Sequence, residues 1–184
     1  MFLFSLLKRF LPTTTLQNPI PAQNGAMSDH DRITALIKIA SDPAELQKAQ
    51  RIAAAKLLRM DGEIFPHDSC AITQSCLLQA AGIAVPNTFQ ALAFGKMLEK
   101  RGWTRVAVGH QRAGDVGSTC VDLPRHGSDH VYLCVKAINS DEMLIADNQA
   151  GTPHVRYASG HGGKTPTTHF LRAPSIPPKE SANG

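Results

Sequence analysis

With 184 residues, 42% of them hydrophobic, the chain is long enough to bury the core of one ordinary domain with a short appendage, which argues against a second full domain. Its 19 basic and 15 acidic residues leave a net charge of +4, spread along the sequence with no basic run and no interleaved aromatics. That pattern argues against nucleic acid and suits an anionic partner such as cell wall. The four cysteines, Cys70, Cys76, Cys120 and Cys134, form no CxxC pair and no dense even spacing, so neither a disulfide scaffold nor a zinc ribbon is indicated.

The opening segment Met1 to Leu11 is apolar, but Lys8 and Arg9 follow the apolar run where a secretory signal would place its charges before it. The run is also too short to span a bilayer, so no stable membrane span is expected. Residues 1–28 read as a flexible or membrane-brushing leader, with Thr13 to Asn24 rich in Thr, Pro, Gln and Asn and Met27 a second candidate start. A short helix is expected over Asp31 to Ala40. A second should start at Asp42, with Pro43 in the first position and Glu45 completing a capping box, and should run to about Met60 before Asp61-Gly62. Leu46, Ile52, Ala53, Leu57 and Leu58 give it an apolar stripe. These helices form an N-terminal extension over residues 29–65.

A third helix opens at Cys70, with Asp68 or Ser69 as cap and Gly82 as its left-handed stop, and a fourth starts near Asn87 or Thr88 and ends at Gly102. Short β-like runs follow at 103–108, 115–119, 132–137, 143–146 and 155–159, with His169 to Arg172 as a last strand. Asn139 to Glu142 reads as the loop of a hairpin. Helices first and strands afterwards give the α+β class, with helices packed on one side of a small antiparallel sheet. Residues 66–173 form that body, and 174–184, rich in Pro and Ser, read as a disordered tail.

Cys70 in the first turn of a helix is the candidate nucleophile. A free thiol titrates near about 8.5, and both the helix N-terminus and a neighbouring imidazolium lower that value. Cys76, six residues along and beside Leu77 and Leu78, is expected in the core, and packing roles are expected for Cys120 and Cys134. Among eight histidines, His130 stands out because it begins an apolar strand that can hold a general base rigidly; His67 is the rival. Asp147, Asn148 and Gln149 end the following strand and compete to orient the imidazole, a task a carboxylate does best. Folding the hairpin near residue 141 places residue 130 opposite about residue 151, and a slip of one residue changes the face.

Cys70-Ala71 with Ser75 to Gly82, Gly114-Asp115-Val116, His130-Val131 and Ile145 to Gln149 together resemble the CHAP family of cysteine, histidine-dependent amidohydrolases and peptidases, and more distantly the NlpC-like peptidoglycan peptidases. The resemblance covers about residues 66–150. It implies a papain-like fold, Cys70 as nucleophile, His130 as base and acid, Asp147 or Asn148 as orienter, and no metal or organic cofactor. It implies amide cleavage through a thioester in the peptide stems or cross-bridges of peptidoglycan, in the periplasm or cell wall; acyl transfer to an amine uses the same residue types. The chain departs from the family in having His67-Asp68-Ser69 where an aromatic is common and Tyr132 where a glycine is common. Two other readings stand beside it: a non-catalytic wall-binding domain with an inert Cys70, and a metal-binding module built from Cys120, His126, His130 and Cys134.

Overall fold

Ser28 and Asp31 start the first helix by exchanging caps: the Asp31 N–H donates to the Ser28 hydroxyl, and the Asp31 carboxylate accepts the Ser28 N–H at 2.9 Å. In this computed structural model residues 27–121 and 129–175 are described; His126 and most of the expected leader and tail lie outside them. Helix α1 covers Asp29–Ser41 and α2 covers Pro43–Asp61, where Asp42 accepts the N–H groups of Ala44 and Glu45. The capping box expected at Glu45 is incomplete, because the Glu45 carboxylate pairs with Lys48 one turn on. The stripe on α2 also differs from expectation. Leu46, Ala49, Gln50, Ala53 and Leu57 are buried at helical spacing, while Ile52 and Leu58 fall off that face and are exposed.

Helix α3 covers Cys70–Ala80. Neither expected cap forms. Ser69 has φ −99° and ψ 4°, unlike the extended backbone of a capping residue, and its hydroxyl donates instead to the Pro66 carbonyl at 2.7 Å; Asp68 is left-handed, with φ 45°. Helix α4 covers Ala91–Lys100 and begins later than expected. The reason lies in the connector: the Asn87 side chain accepts from Lys56 and Gln79, and the Thr88 N–H donates to Ser75, so this segment is tied to α2 and α3 before a helix can start.

Six strands follow: β1 Thr104–Val106, β2 Val116–Ser118, β3 Val131–Ala137, β4 Glu142–Ala146, β5 His154–Tyr157 and β6 His169–Arg172. They form one antiparallel sheet in the order β1-β6-β2-β3-β4-β5, and the chain is α+β. Both sheet faces carry apolar clusters, which explains the unbroken apolar run of β3. Val116, Val131, Leu133, Ala146 and Leu171 pack under the helices, in one core with Leu36 of α1, Leu46 of α2 and Leu77 of α3. Tyr132, Cys134, Met143, Ile145 and Phe170 pack on the other face with Ala158.

The Gly-Asp-Val segment has an architectural role. Gly114 has φ +92°, and a Cβ there would lie 2.3 Å from Ile33 of α1, so only glycine lets the helix close on the sheet. Asp115, 1% exposed, accepts from Nε and Nη2 of Arg172 at 2.8 and 2.6 Å and from the Arg112 N–H, which locks the start of β2 to the end of β6. Arg172→Met leaves that carboxylate buried without its cation. The expected cost is about 3 kcal/mol, read as a lower urea midpoint with an unchanged slope.

Candidate active site

The open ends of β3 and β4 and the N-terminus of α3 meet at a cleft of about 400 Å³ whose lining includes Asp68, Cys70, His130, Asn148, Arg156 and Lys164. The register of the β3–β4 hairpin explains who meets whom. Leu133 lies opposite Ala146, with a bulge between Cys134 and Lys136, and extending that register places Asp147 opposite Tyr132 and His130 opposite Gln149. His130 and Asp147 are then diagonal neighbours on one face, within reach of each other's side chains. His130 Nε2 lies 2.9 Å from Asp147 Oδ2, and its ring stacks on Tyr132 with centroids 6.0 Å apart. The His130 N–H donates to the Thr119 hydroxyl at 2.8 Å, fixing the start of the strand. With Nε2 committed to the carboxylate, Nδ1 is the ring nitrogen available for proton exchange.

Asp147 is completely buried. Burial alone would raise its pKa, but the His130 hydrogen bond and charge, the Gln149 N–H at 2.7 Å and the more distant His154 outweigh it and hold the carboxyl below its ordinary value. Its backbone is held as firmly. Gln50 of α2 donates to the carbonyls of Asp147 and Ala150, each at 2.7 Å, and Gln74 of α3 donates to the Ala146 carbonyl at 3.0 Å. Neither glutamine figured among the expected site residues. Gln50 had a signal in the sequence: it is an amide on the stripe set by Leu46, Ala53 and Leu57, a position where a buried polar group must find partners.

Asn148 does something different from orienting the imidazole. Its Nδ2 donates to the Pro66 carbonyl at 2.7 Å, the same carbonyl that takes the Ser69 hydroxyl, so it fastens the connector ahead of Cys70 to the end of β4. Gln149 is exposed and accepts from Lys164, and His67 lines the cleft, exposed, with no side-chain hydrogen bond among the described residues.

The sulfur of Cys70 sits against the backbone N–H groups of Val131 and Ala71. Even-numbered β3 residues turn their backbone groups toward β2, as the bonds of His130 and Cys134 to Thr119 and Asp115 show. The Val131 N–H therefore faces the other way, beyond the paired length of β4, and the sulfur fills that gap. The lowered thiol pKa expected from the helix N-terminus is corrected here. Burial pushes the Cys70 thiol up to about 11, the two N–H groups only partly offset this, and Cys120 and Asp147 raise it further. Among the described residues no hydrogen bond joins the sulfur to His130, although both line the cleft.

Cys76 and Cys134 are buried as expected for core residues, and burial raises both thiols, Cys134 to about 12. Cys120 is also buried, just beyond β2. Among the described residues no group of three His, Cys, Asp or Glu side chains is placed to hold a metal ion, and no helix is long and apolar enough to cross a membrane. Comparison with protein-family models, with curated proteins and with solved structures finds no match to this chain.

Two outcomes follow from this geometry. Iodoacetamide labelling of Cys70, followed by mass spectrometry, is expected to be slow at pH 8 and to climb toward pH 11, since the thiolate forms only near its raised pKa. Gln50→Leu removes the donor of the Asp147 and Ala150 carbonyls at similar volume and should lower stability by about 1–3 kcal/mol in urea unfolding.

Proposed function

We propose that the chain is a cysteine-dependent amidohydrolase of papain-like architecture that cleaves amide bonds in bacterial peptidoglycan. The observation that carries this is the ordered His130–Asp147 pair, 2.9 Å apart, opening on the same cleft as Cys70 at the start of a helix packed on the sheet. Because the Cys70 thiol is neutral at rest, His130 Nδ1 takes its proton as the sulfur attacks the amide carbon. Asp147 holds the imidazole by Nε2 and stabilises the imidazolium that forms. The backbone N–H of Cys70, in the first turn of α3, is a donor for the developing oxyanion. The C–N bond breaks as the imidazolium returns its proton to the leaving amine, giving a thioester. Water, deprotonated by the same imidazole, then releases the carboxylate and restores the thiol. The mild positive charge suits an anionic wall polymer.

A non-catalytic wall-binding domain is the second reading, and it draws on one specific observation: the thiol is buried, raised in pKa and not hydrogen-bonded to the imidazole. Incubation with purified peptidoglycan and mass spectrometry of the released fragments separates the two. The hydrolase yields new amine and carboxylate ends, Cys70→Ser abolishes them, Asp147→Asn lowers kcat by about 10³-fold or more, and Cys76→Ser leaves the activity in place. An intact polymer after exhaustive incubation, with the protein sedimenting together with it, favours the binding domain instead.

A further inference from the structure

Arg156 of β5 is a buried cation with no anion paired to it among the described residues. It is 6% exposed, its guanidinium carbon stands 4.7 Å from the centroid of the Tyr132 ring, and Nη2 donates to the Thr165 carbonyl at 2.8 Å. Its Nε is buried without a hydrogen-bond partner, and among the described residues no carboxylate lies within ion-pair distance of it. Buried arginines are almost always matched by an anion, because a desolvated charge is costly to leave alone.

The residue lines the cleft that holds Cys70 and His130, and a second buried polar atom without a partner among the described residues belongs to a lining residue of the same cleft. Asn148 is 8% exposed, and its Oδ1, an acceptor, is buried with no donor. Lys164, held by Gln149 at 3.2 Å, adds a second positive charge from the segment after β5. The acidic residues of the cleft, Asp68 and Asp129, come from the segments leading into Cys70 and His130. The cleft therefore offers, beside its two acidic residues, a buried guanidinium without an ion-pair partner and one unused acceptor among the described residues.

We infer that Arg156 and Asn148 form a subsite in this cleft for a substrate carboxylate close to the scissile amide, with Arg156 donating to the carboxylate and Asn148 Oδ1 accepting an N–H of the same residue. The inference rests on the hydrolase reading for the word substrate; the ligand class, a peptide ending in or bearing a free carboxylate, follows from the unmatched donor and acceptor alone. A planar guanidinium braced on an aromatic face is pre-organised for carboxylate, which a lysine at that position would meet only as a point charge.

The test uses ¹⁵N-labelled full-length protein carrying Cys70→Ser, so that nothing turns over, titrated with N-acetyl-D-alanyl-D-alanine and with its C-terminal carboxamide. The Arg156 Nε–H resonance is assigned by its loss in Arg156→Lys. The expected result is saturable movement of that resonance with the acid, affinity for the acid about tenfold above that for the amide, and loss of the preference in Arg156→Lys. Equal affinities, an Nε–H that stays still while the acid binds elsewhere, or no saturable binding of the acid overturns the subsite. If the Cys70→Ser protein takes the acid through Arg156 while the wild-type protein leaves peptidoglycan intact, the subsite stands and the hydrolase falls. If the wild-type protein cuts peptidoglycan while the Cys70→Ser protein ignores the carboxylate, the reverse holds.

Discussion

A single ionised carboxylate, fully enclosed by protein, is the constraint around which this molecule is arranged. Asp147 has no solvent to stabilise its charge, so every part of the fold near it supplies a compensating group. The imidazole of His130 and the Gln149 N–H satisfy its oxygens, and glutamines from α2 and α3 hold the backbone that presents it. A buried charge of this kind rarely adds net stability compared with an apolar residue. On the hydrolase reading proposed above, that charge would serve beside a base that must become a cation.

The same constraint gives the first two helices a purpose. α1 closes on the sheet over Gly114, and α2 reaches the end of β4 through Gln50, while Gln47 donates to the Gly151 carbonyl just beyond. A segment outside the family resemblance thus holds the backbone that presents Asp147.

Much of this arrangement was legible in the residues. The Ser28 to Asp31 box went unread, but Asp42-Pro43, the glycine after α2, the hairpin at Asn139 to Glu142 and all six strands follow from cap, turn and alternation chemistry. What was not legible depended on long-range contacts. The hairpin folds about residue 140, and the bulge between Cys134 and Lys136 shifts the register by one more, so the residue opposite His130 is 149 where about 151 is expected, which no local pattern fixes. Asn87 and Thr88 look like helix starters but are claimed by α2 and α3, and Ser69 looks like a cap but is claimed by Pro66. Asn148, a candidate behind Asp147 on chemistry alone, turns to the connector, where it shares the Pro66 carbonyl with the Ser69 hydroxyl.

The sulfur is where local reasoning went furthest astray, and the reason bears on mechanism. A helix N-terminus lowers a thiol's pKa only where solvent or a cation shares the work; here burial is the larger effect, and Asp147 adds to it. The carboxylate that hydrogen-bonds His130 therefore also opposes a resting thiolate. On the hydrolase reading proposed above, the proton would move only as the sulfur bonds to carbon and its negative charge passes to the carbonyl oxygen. If the chain is the proposed hydrolase, such a site would hold its thiol protonated until a substrate fills the cleft; in either case a buried neutral thiol is less open to adventitious oxidation than an exposed thiolate.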